Sequence, residues 1–280
     1  MKKIISGKVR EVYETDGGEL VIVTTDRISA FDVILDSVIP GKGIALYAIS
    51  LYWFGRTKDI IPNHIISDRL SDMPAEFSSD YYKGRTVLAK RLNMLPYEFI
   101  VRGYMFGSMW EDHRKTHSCC GIPINENYAL AEKLREPVLT PSAKNSKGHD
   151  ENISIDRLRS AVGKDEADRI ADICMKIYTR CSEDAAAKGL IIADTKFEFG
   201  YDEDGVLTVG DEMLTPDSSR FWAKADYTTG VSPRSYDKQF VRDWLIANKL
   251  NGVTPAPALP EDIAEATAGL YRECLKVITS

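Results

Sequence analysis

No apolar run in this 280-residue chain is long enough to span a bilayer, so a membrane-spanning helix is not expected. Blocks of like charge are also missing, and the net charge is −6. Without a basic stripe, a nucleic-acid partner held through its phosphates is not expected. Small anionic substrates remain open, because a local basic pocket can sit in an acidic protein. Internal repeats and low-complexity linkers are absent, as is a G-x4-G-K-[ST] phosphate loop. The start, MKKIISGKVREVYE, has a basic pair but no apolar core or cleavage site of a signal peptide. A cytoplasmic protein without a membrane partner is expected. The cysteines are few and odd in number: Cys119, Cys120, Cys174, Cys181 and Cys274. That count does not make a disulfide framework. Cys174, Cys181 and Cys274 stand at core-facing helical spacings and read as buried thiols. His113, His117, Cys119 and Cys120 form an H-x3-H-x-C-C cluster. Adjacent cysteines rarely suit a tetrahedral site and no second C-x2-C exists, so zinc is not expected there.

What is present alternates between strand and helix patterns. Val9–Glu14, Leu20–Thr25, Phe31–Leu35, Thr86–Leu92 and Glu98–Val101 read as strands, with Gly17-Gly18 marking a hairpin between the first two. Ala45–Thr57 has a helical apolar pattern. From Asp156 onward helices dominate: Ile170, Ile173, Cys174, Ile177, Tyr178, Cys181 and Ala185 keep helical spacing up to Gly189. Tyr236–Asn248 is a further helix. The last is expected from Pro260 to about Val277, with Glu261 and Asp262 favouring its N-terminal dipole end. The fold class is α+β, with a strand-rich N-terminal lobe over 1–98 and a mixed, helix-containing lobe over 99–280.

The densest chemistry lies in residues 189–222, GLIIADTKFEFGYDEDGVLTVGDEMLTPDSSRFW. Leu190–Ala193 starts a buried strand. Period-two alternation then puts Asp194, Lys196 and Glu198 on one face and Thr195, Phe197 and Phe199 on the other. Tyr201–Gly205 is rich in turn formers and Val206–Val209 reads as a return strand. A symmetric hairpin would bring Asp211 and Glu212 to the Lys196/Glu198 end, with Arg220 following. A lone D-x-K-x-E serves surface salt bridges equally well. The second acidic pair and D-S-S-R favour a Mg²⁺–phosphate site, since Mg²⁺ needs only one or two carboxylates when a nucleotide phosphate also binds it.

Other segments are weaker alone. Ser6-Gly7-Lys8-Val9-Arg10 places a glycine and two cations at a hairpin, where a backbone can lie over phosphates or simply form a solvated edge. Lys90–Glu98, KRLNMLPYE, could be a hinge whose extended backbone meets a purine edge beside Met94, or a strand ending at Pro96. Arg102–Ser108, RGYMFGS, offers a guanidinium, two glycines and a hydroxyl for a phosphate or carboxylate. Thr140–Ser154, TPSAKNSKGHDENIS, crowds lysines, a histidine and acids into one polar stretch.

Taken as an ordered set, SGKVREVYE, TTDRISAFDV, IPGKG, PYEFIVRGYMFGS, TPSAKNSKGHDENIS, GLIIADTKFEFG, GDEMLTPDSSRFW and SYDKQFVRDWL closely resemble the SAICAR synthetase (phosphoribosylaminoimidazole-succinocarboxamide synthase) family. The resemblance implies a two-lobed α+β fold with the nucleotide between lobes. It also implies condensation of carboxyaminoimidazole ribotide (CAIR) with L-aspartate in purine biosynthesis, ATP being cleaved to ADP and phosphate. By motif, Gly7, Lys8, Val9 and Arg10 would lie at the ATP phosphates, with Lys90 and Met94 near the adenine. Lys196 would face phosphate as a catalytic group, and Glu198 and Asp211 would bind Mg²⁺. Arg102, Ser108, Asp217, Ser219 and Arg220 would hold CAIR. Lys144, His149 and Asp150 would line the reaction centre. A homo-oligomer is compatible with the family. Two other readings share these features: a small-molecule kinase, which needs a hydroxyl acceptor, and a nucleotide sensor without turnover. ADP release that requires both CAIR and aspartate separates the three.

Overall fold

A computed structural model describes residues 1–31, 33–145 and 150–280. Strands β1 (Lys2–Ser6), β2 (Arg10–Glu14) and β3 (Leu20–Thr24) form an antiparallel meander. A hairpin of β4 (Arg27–Ala30) and β5 (Val33–Val38) leads into helix α1 (Lys42–Thr57). Then β6 (Ile65–Ser67) and β7 (Thr86–Ala89) complete a five-stranded sheet in the order β1-β2-β3-β7-β6. Next come β8 (Asn93–Met94), β9 (Tyr97–Tyr104), α2 (Gly107–Thr116) and the small hairpin β10 (Ser118–Cys119) and β11 (Ile122–Pro123). They are followed by β12 (Lys133–Ala143), β13 (Glu151–Asn152), α3 (Ile155–Val162) and α4 (Lys164–Ala187). Finally β14 (Leu190–Tyr201), β15 (Leu207–Gly210) and β16 (Ser219–Ala223) precede α5 (Gln239–Ala247) and α6 (Glu261–Thr279). The second sheet runs β13-β12-β9-β14-β15, and β16 and β8 also pair with β14.

Strand β14 is the axis of this arrangement. Its Phe197 and Phe199 are fully buried, with Phe99 of β9 edge-on to Phe199. The helical stripe of α4, from Ile170 to Ala185, packs into the same core. Each such aromatic contributes roughly 1.5–3 kcal/mol by leaving water. Phe197→Ala would therefore cost about 3–5 kcal/mol through lost contact and cavity. Ile49, Trp53 and Phe54 of α1 join that core. One turn earlier, Ala45 and Leu46 of α1 meet Val241, Leu245, Ala268 and Tyr271 of α5 and α6 in a second core. Both cores hold residues from either side of position 98.

Element types follow the sequence patterns, while several ends differ. Helix α1 starts at Lys42, three residues before the expected Ala45, after Gly41 in a left-handed conformation (φ 75°). The strand expected at Phe31–Leu35 is found at Val33–Val38, the second arm of the β4–β5 hairpin, with Phe31 in a turn at φ 50°. The strand expected to reach Leu92 ends at Ala89, where the Lys90 amide donates to the His64 carbonyl at 2.7 Å. Helix α5 starts at Gln239 rather than Tyr236, because the Asp237 carboxylate accepts the Gln239 amide at 2.8 Å and turns the chain first. Pro260 precedes α6 and its carbonyl accepts the Ala264 amide at 3.0 Å. Among the described residues no helix is long and apolar enough to cross a membrane.

Candidate active site

The middle of the second sheet sets the site. Asp194 of β14 lies directly across from Arg102 on β9 and Arg220 on β16. Arg102 Nη1 is 3.3 Å from Asp194 Oδ2, and Arg220 Nη1 donates to the same oxygen. Two guanidiniums are thus drawn to one buried carboxylate, which leaves part of each fork for a ligand. Arg102 is fixed further: Nε donates to Thr140 Oγ1 at 2.9 Å and Nη2 to Ser108 Oγ at 3.0 Å. Ser108 sits in the first turn of α2, whose amides and dipole favour an anion. Gly107 makes this approach possible. Its φ is 60°, and a Cβ there would meet Arg220 Nη2 at 2.8 Å. Ser219 is adjacent, but its hydroxyl donates to Thr195 Oγ1 at 2.8 Å on the neighbouring strand.

Two and four residues along the same face stand Lys196 and Glu198. Lys196 Nζ donates to Glu98 Oε1 and to Glu198 Oε1, both at 2.7 Å. Lys144 Nζ donates to the other Glu198 oxygen. Glu198 pairs with Gly210 across the β14–β15 ladder. The chain leaves that ladder through Asp211 at φ 57°, an uncommon conformation that aspartate tolerates better than most residues. Asp211 and Glu212 then meet one guanidinium: Arg10 Nη1 to Asp211 Oδ1 at 2.8 Å and Arg10 Nη2 to Glu212 Oε2 at 2.5 Å. Thr215 Oγ1 donates to Glu212 Oε2 at 2.6 Å.

Burial and charge act against each other here. Burial alone would raise the Asp211 pKa, yet Arg10, Lys196 and Lys144 hold it below the usual carboxylate range. At Glu212 burial prevails, aided by Asp211 and Asp217, and pushes the carboxyl up despite Arg10. Burial also works against the Lys196 ammonium, but Glu198, Asp211 and Glu98 raise its pKa, so it stays charged. Among the described residues no group of three or more His, Cys, Asp and Glu side chains could hold a metal ion by itself. Glu198 and Asp211 supply hard oxygen donors next to fixed cations. That limited set fits Mg²⁺, which takes one or two carboxylates and completes its shell with phosphate and water.

The remaining expected residues are distributed as follows. The Gly7 carbonyl accepts from Arg27 Nη2 at 2.9 Å, and the Val9 carbonyl accepts from the Thr25 amide at 2.8 Å, which braces the Lys8 segment beside Arg10. Lys90 Nζ is 3.1 Å from Asp202 Oδ2. Met94 lies against the β14–β15 hairpin, where Gly200 allows the close approach of β8: a Cβ there would meet the Asn93 carbonyl at 2.9 Å. Asp150 accepts the Asn145 amide at 3.0 Å. His149 lies outside the described residues. Asp217 meets Lys42 Nζ at 2.7 Å and Tyr271 OH at 2.6 Å. Glu98, Thr140, Lys42 and Tyr271 were not among the expected site residues. Glu98 does show a signal, alternating with Ile100 and Arg102 as Asp194, Lys196 and Glu198 do. Away from that ordered cluster, Cys119 and Cys120 place their sulfurs 3.9 Å apart, and the His113 and His117 rings are 5.1 Å apart.

A model of the SAICAR synthetase family matches residues 3–257. The chain belongs to that family. It is 50% identical over 277 residues to the phosphoribosylaminoimidazole-succinocarboxamide synthase of Chromobacterium violaceum, covering 99% of this chain and 98% of that one. The SAICAR synthase of Saccharomyces cerevisiae, solved in complex with SAICAR, superposes with a TM-score of 0.92 at 42% identity, covering 100% of this chain and 95% of that one. A type-2 SAICAR synthetase solved in complex with ADP shares the fold at 24% identity, with a TM-score of 0.72 over 98% of this chain and 97% of that one. The α+β architecture is therefore that of SAICAR synthetases. Membership in the family makes the protein a carbon–nitrogen ligase of purine biosynthesis.

Proposed function

We propose that this ligase joins the CAIR carboxyl group to the amine of L-aspartate through an acyl phosphate, yielding SAICAR, ADP and phosphate. One observation carries the reading. A single face of β14 connects an arginine pair beside a helix N-terminus to a lysine–carboxylate cluster beside Arg10. Asp194 and Glu198 are four residues apart, about 13 Å along an extended strand, a span suited to a mononucleotide with its phosphate at one end and its reacting carboxylate at the other. The yeast relative was solved with SAICAR and the more distant relative with ADP, which supports the choice of these ligands.

In this reading Arg102, Ser108, Asp217, Ser219 and Arg220 hold CAIR. Lys8, Arg10 and Lys196, with the Gly7 and Val9 backbone, hold the ATP phosphates, and Lys90 and Met94 flank the adenine. The nucleotide lies where the two sheets meet, between a lobe of residues 1–98 and one of 99–280. Glu198 and Asp211 would hold Mg²⁺, which neutralises charge on the ATP phosphates when bound. The enzyme works in the cytoplasm on small molecules.

A carboxylate resists attack because the incoming electron pair adds charge to an anion. Transfer of the γ-phosphoryl group to a CAIR carboxylate oxygen breaks its bond to ADP and forms a mixed anhydride. Lys8, Arg10 and Lys196 stabilise charge on the group in flight. The neutral aspartate nitrogen then attacks the acyl carbon, and phosphate departs with the former carboxylate oxygen. The family motif assigns Lys144, His149 and Asp150 to this centre, and His149 or Asp150 would accept the amine proton. A coupled assay tests the reading: ADP release must require both CAIR and aspartate. Release with CAIR and a hydroxyl acceptor, or with no acceptor, would contradict it.

A further inference from the structure

Lys42 is fully buried in the first turn of α1, with no acidic residue in that turn. Both facts oppose it. Burial penalises the ammonium, and the helix dipole is positive at that end. Leu46, one turn further along α1, belongs to the apolar core that α1 shares with α5 and α6. A well-packed apolar side chain of similar volume is often neutral or stabilising in place of a buried ion pair. Folding stability alone therefore gives a weak reason for a lysine here.

The contacts supply another. Lys42 Nζ donates to the Arg27 carbonyl at 3.1 Å and to Asp217 Oδ2 at 2.7 Å. Tyr271 OH, on α6, donates to Asp217 Oδ1 at 2.6 Å, and its ring lies 5.6 Å from the Lys42 ammonium. The Asp217 amide is held at 3.2 Å by Thr215 Oγ1, the same hydroxyl that donates to Glu212. Asp217 is thus fixed at both carboxylate oxygens and at its backbone. It also lines a cavity of about 120 Å³ with Asp194, Ser219, Arg220, Lys238 and Arg242. An ionised carboxylate has about four lone-pair sites, so two donors leave acceptor capacity on each oxygen.

We propose that Lys42 and Tyr271 are positioning residues that hold Asp217 as a fixed, ionised acceptor, so that this corner of the cavity selects an N–H or O–H donor of the substrate and rejects an anionic group. This rests on the reading that Asp217 holds CAIR. In CAIR the groups of that chemistry are the ring amine and the ribose hydroxyls, while its phosphate and carboxylate fall to the arginines and lysines. The acidic corner beside Arg220 then sets the orientation of CAIR in its site. It prevents the anionic ends from settling where the donor belongs.

Steady-state kinetics on four variants test this. Tyr271→Phe keeps the ring and removes one donor, and is expected to raise the KM for CAIR about five- to tenfold with the KM for ATP unchanged. Lys42→Met strands a buried carboxylate and is expected to lose stability, so it is paired with Lys42→Met/Asp217→Asn. The double variant removes both charges, and is expected to recover the melting temperature lost in Lys42→Met while its CAIR KM stays at least as high as in Tyr271→Phe. Asp217→Asn alone separates the two levels of the argument. An unchanged CAIR KM in Asp217→Asn overturns the assignment of Asp217 to CAIR. A raised CAIR KM there with Tyr271→Phe unchanged overturns the positioning role, as does a double variant much weaker for CAIR than Asp217→Asn alone, since Lys42 would then act other than through Asp217. Equal increases in the KM for CAIR and ATP in Tyr271→Phe would mark a structural role only and also overturn it.

Discussion

Lys196 Nζ donates to Glu198 Oε1 at 2.7 Å from two residues back along the same strand. The contact exists because residues i and i+2 of a strand share a face. It places a cation and a metal-binding candidate side by side before any ligand arrives. Glu198 also meets Lys144, and Asp211 meets Arg10, so in the proposed metal assignment each carboxylate would release a protein cation as Mg²⁺ and phosphate enter.

Glu198→Gln and Asp211→Asn are each expected to lower turnover more than tenfold, roughly 1.4 kcal/mol or more of transition-state stabilisation. The fold should persist, because both substitutions keep shape. Titrating each variant with Mg²⁺ checks the assignment. Near-normal activity of both at saturating metal would remove it.

Arg102→Lys and Arg220→Lys should weaken CAIR far more than ATP, although charge is retained. A lysine cannot reproduce the fork by which Arg102 reaches Asp194, Thr140 and Ser108 together. Isothermal titration of both ligands reads the difference, and equal losses would point to a general defect.

Gly107→Ala should act on the same site indirectly. The added methyl carbon would fall 2.8 Å from Arg220 Nη2, and φ 60° is unfavourable for alanine. We expect a stability loss of about 1 kcal/mol and a rise in the KM for CAIR, with the KM for ATP retained. An unchanged CAIR KM would show that Arg220 can bind CAIR from another position.

His64 gives a pH prediction for stability. It is buried, and burial lowers its pKa from 6.5 to about 4, with Asp211 and the Val209 carbonyl only partly opposing this. The folded state therefore takes up this proton later than the unfolded chain does. The His64 contribution is complete above about pH 6.5 and is lost as pH falls toward about 4, a change of roughly 3 kcal/mol. Urea melts of wild type and His64→Gln should diverge in slope across that window. Parallel curves would contradict the prediction.

The residues of β14 show why so much of the site could be read from sequence. Strand period alone assigned Asp194, Lys196 and Glu198 to one face, and the turn at Tyr201–Gly205 brought Asp211 and Glu212 back to that end. What periodicity cannot give is register with a strand nearly a hundred residues away. For that reason Glu98, which bonds to Lys196, went unassigned. Lys42 and Tyr271 were hidden by the same cause. A lysine between two glycines reads as a solvated turn, and a tyrosine on a helical stripe reads as core. Only the packing of α1 on α6 shows that both reach Asp217. Helix ends differed where side chains redirect the chain, as Asp237 does before α5.

The most direct test of the chemical account follows an oxygen atom. CAIR labelled with ¹⁸O in its carboxylate is turned over with ATP and aspartate, and the released phosphate is examined by mass spectrometry. The acyl-phosphate route predicts one labelled oxygen transferred to phosphate in each turnover. Unlabelled phosphate, with carboxylate exchange controlled, would contradict it.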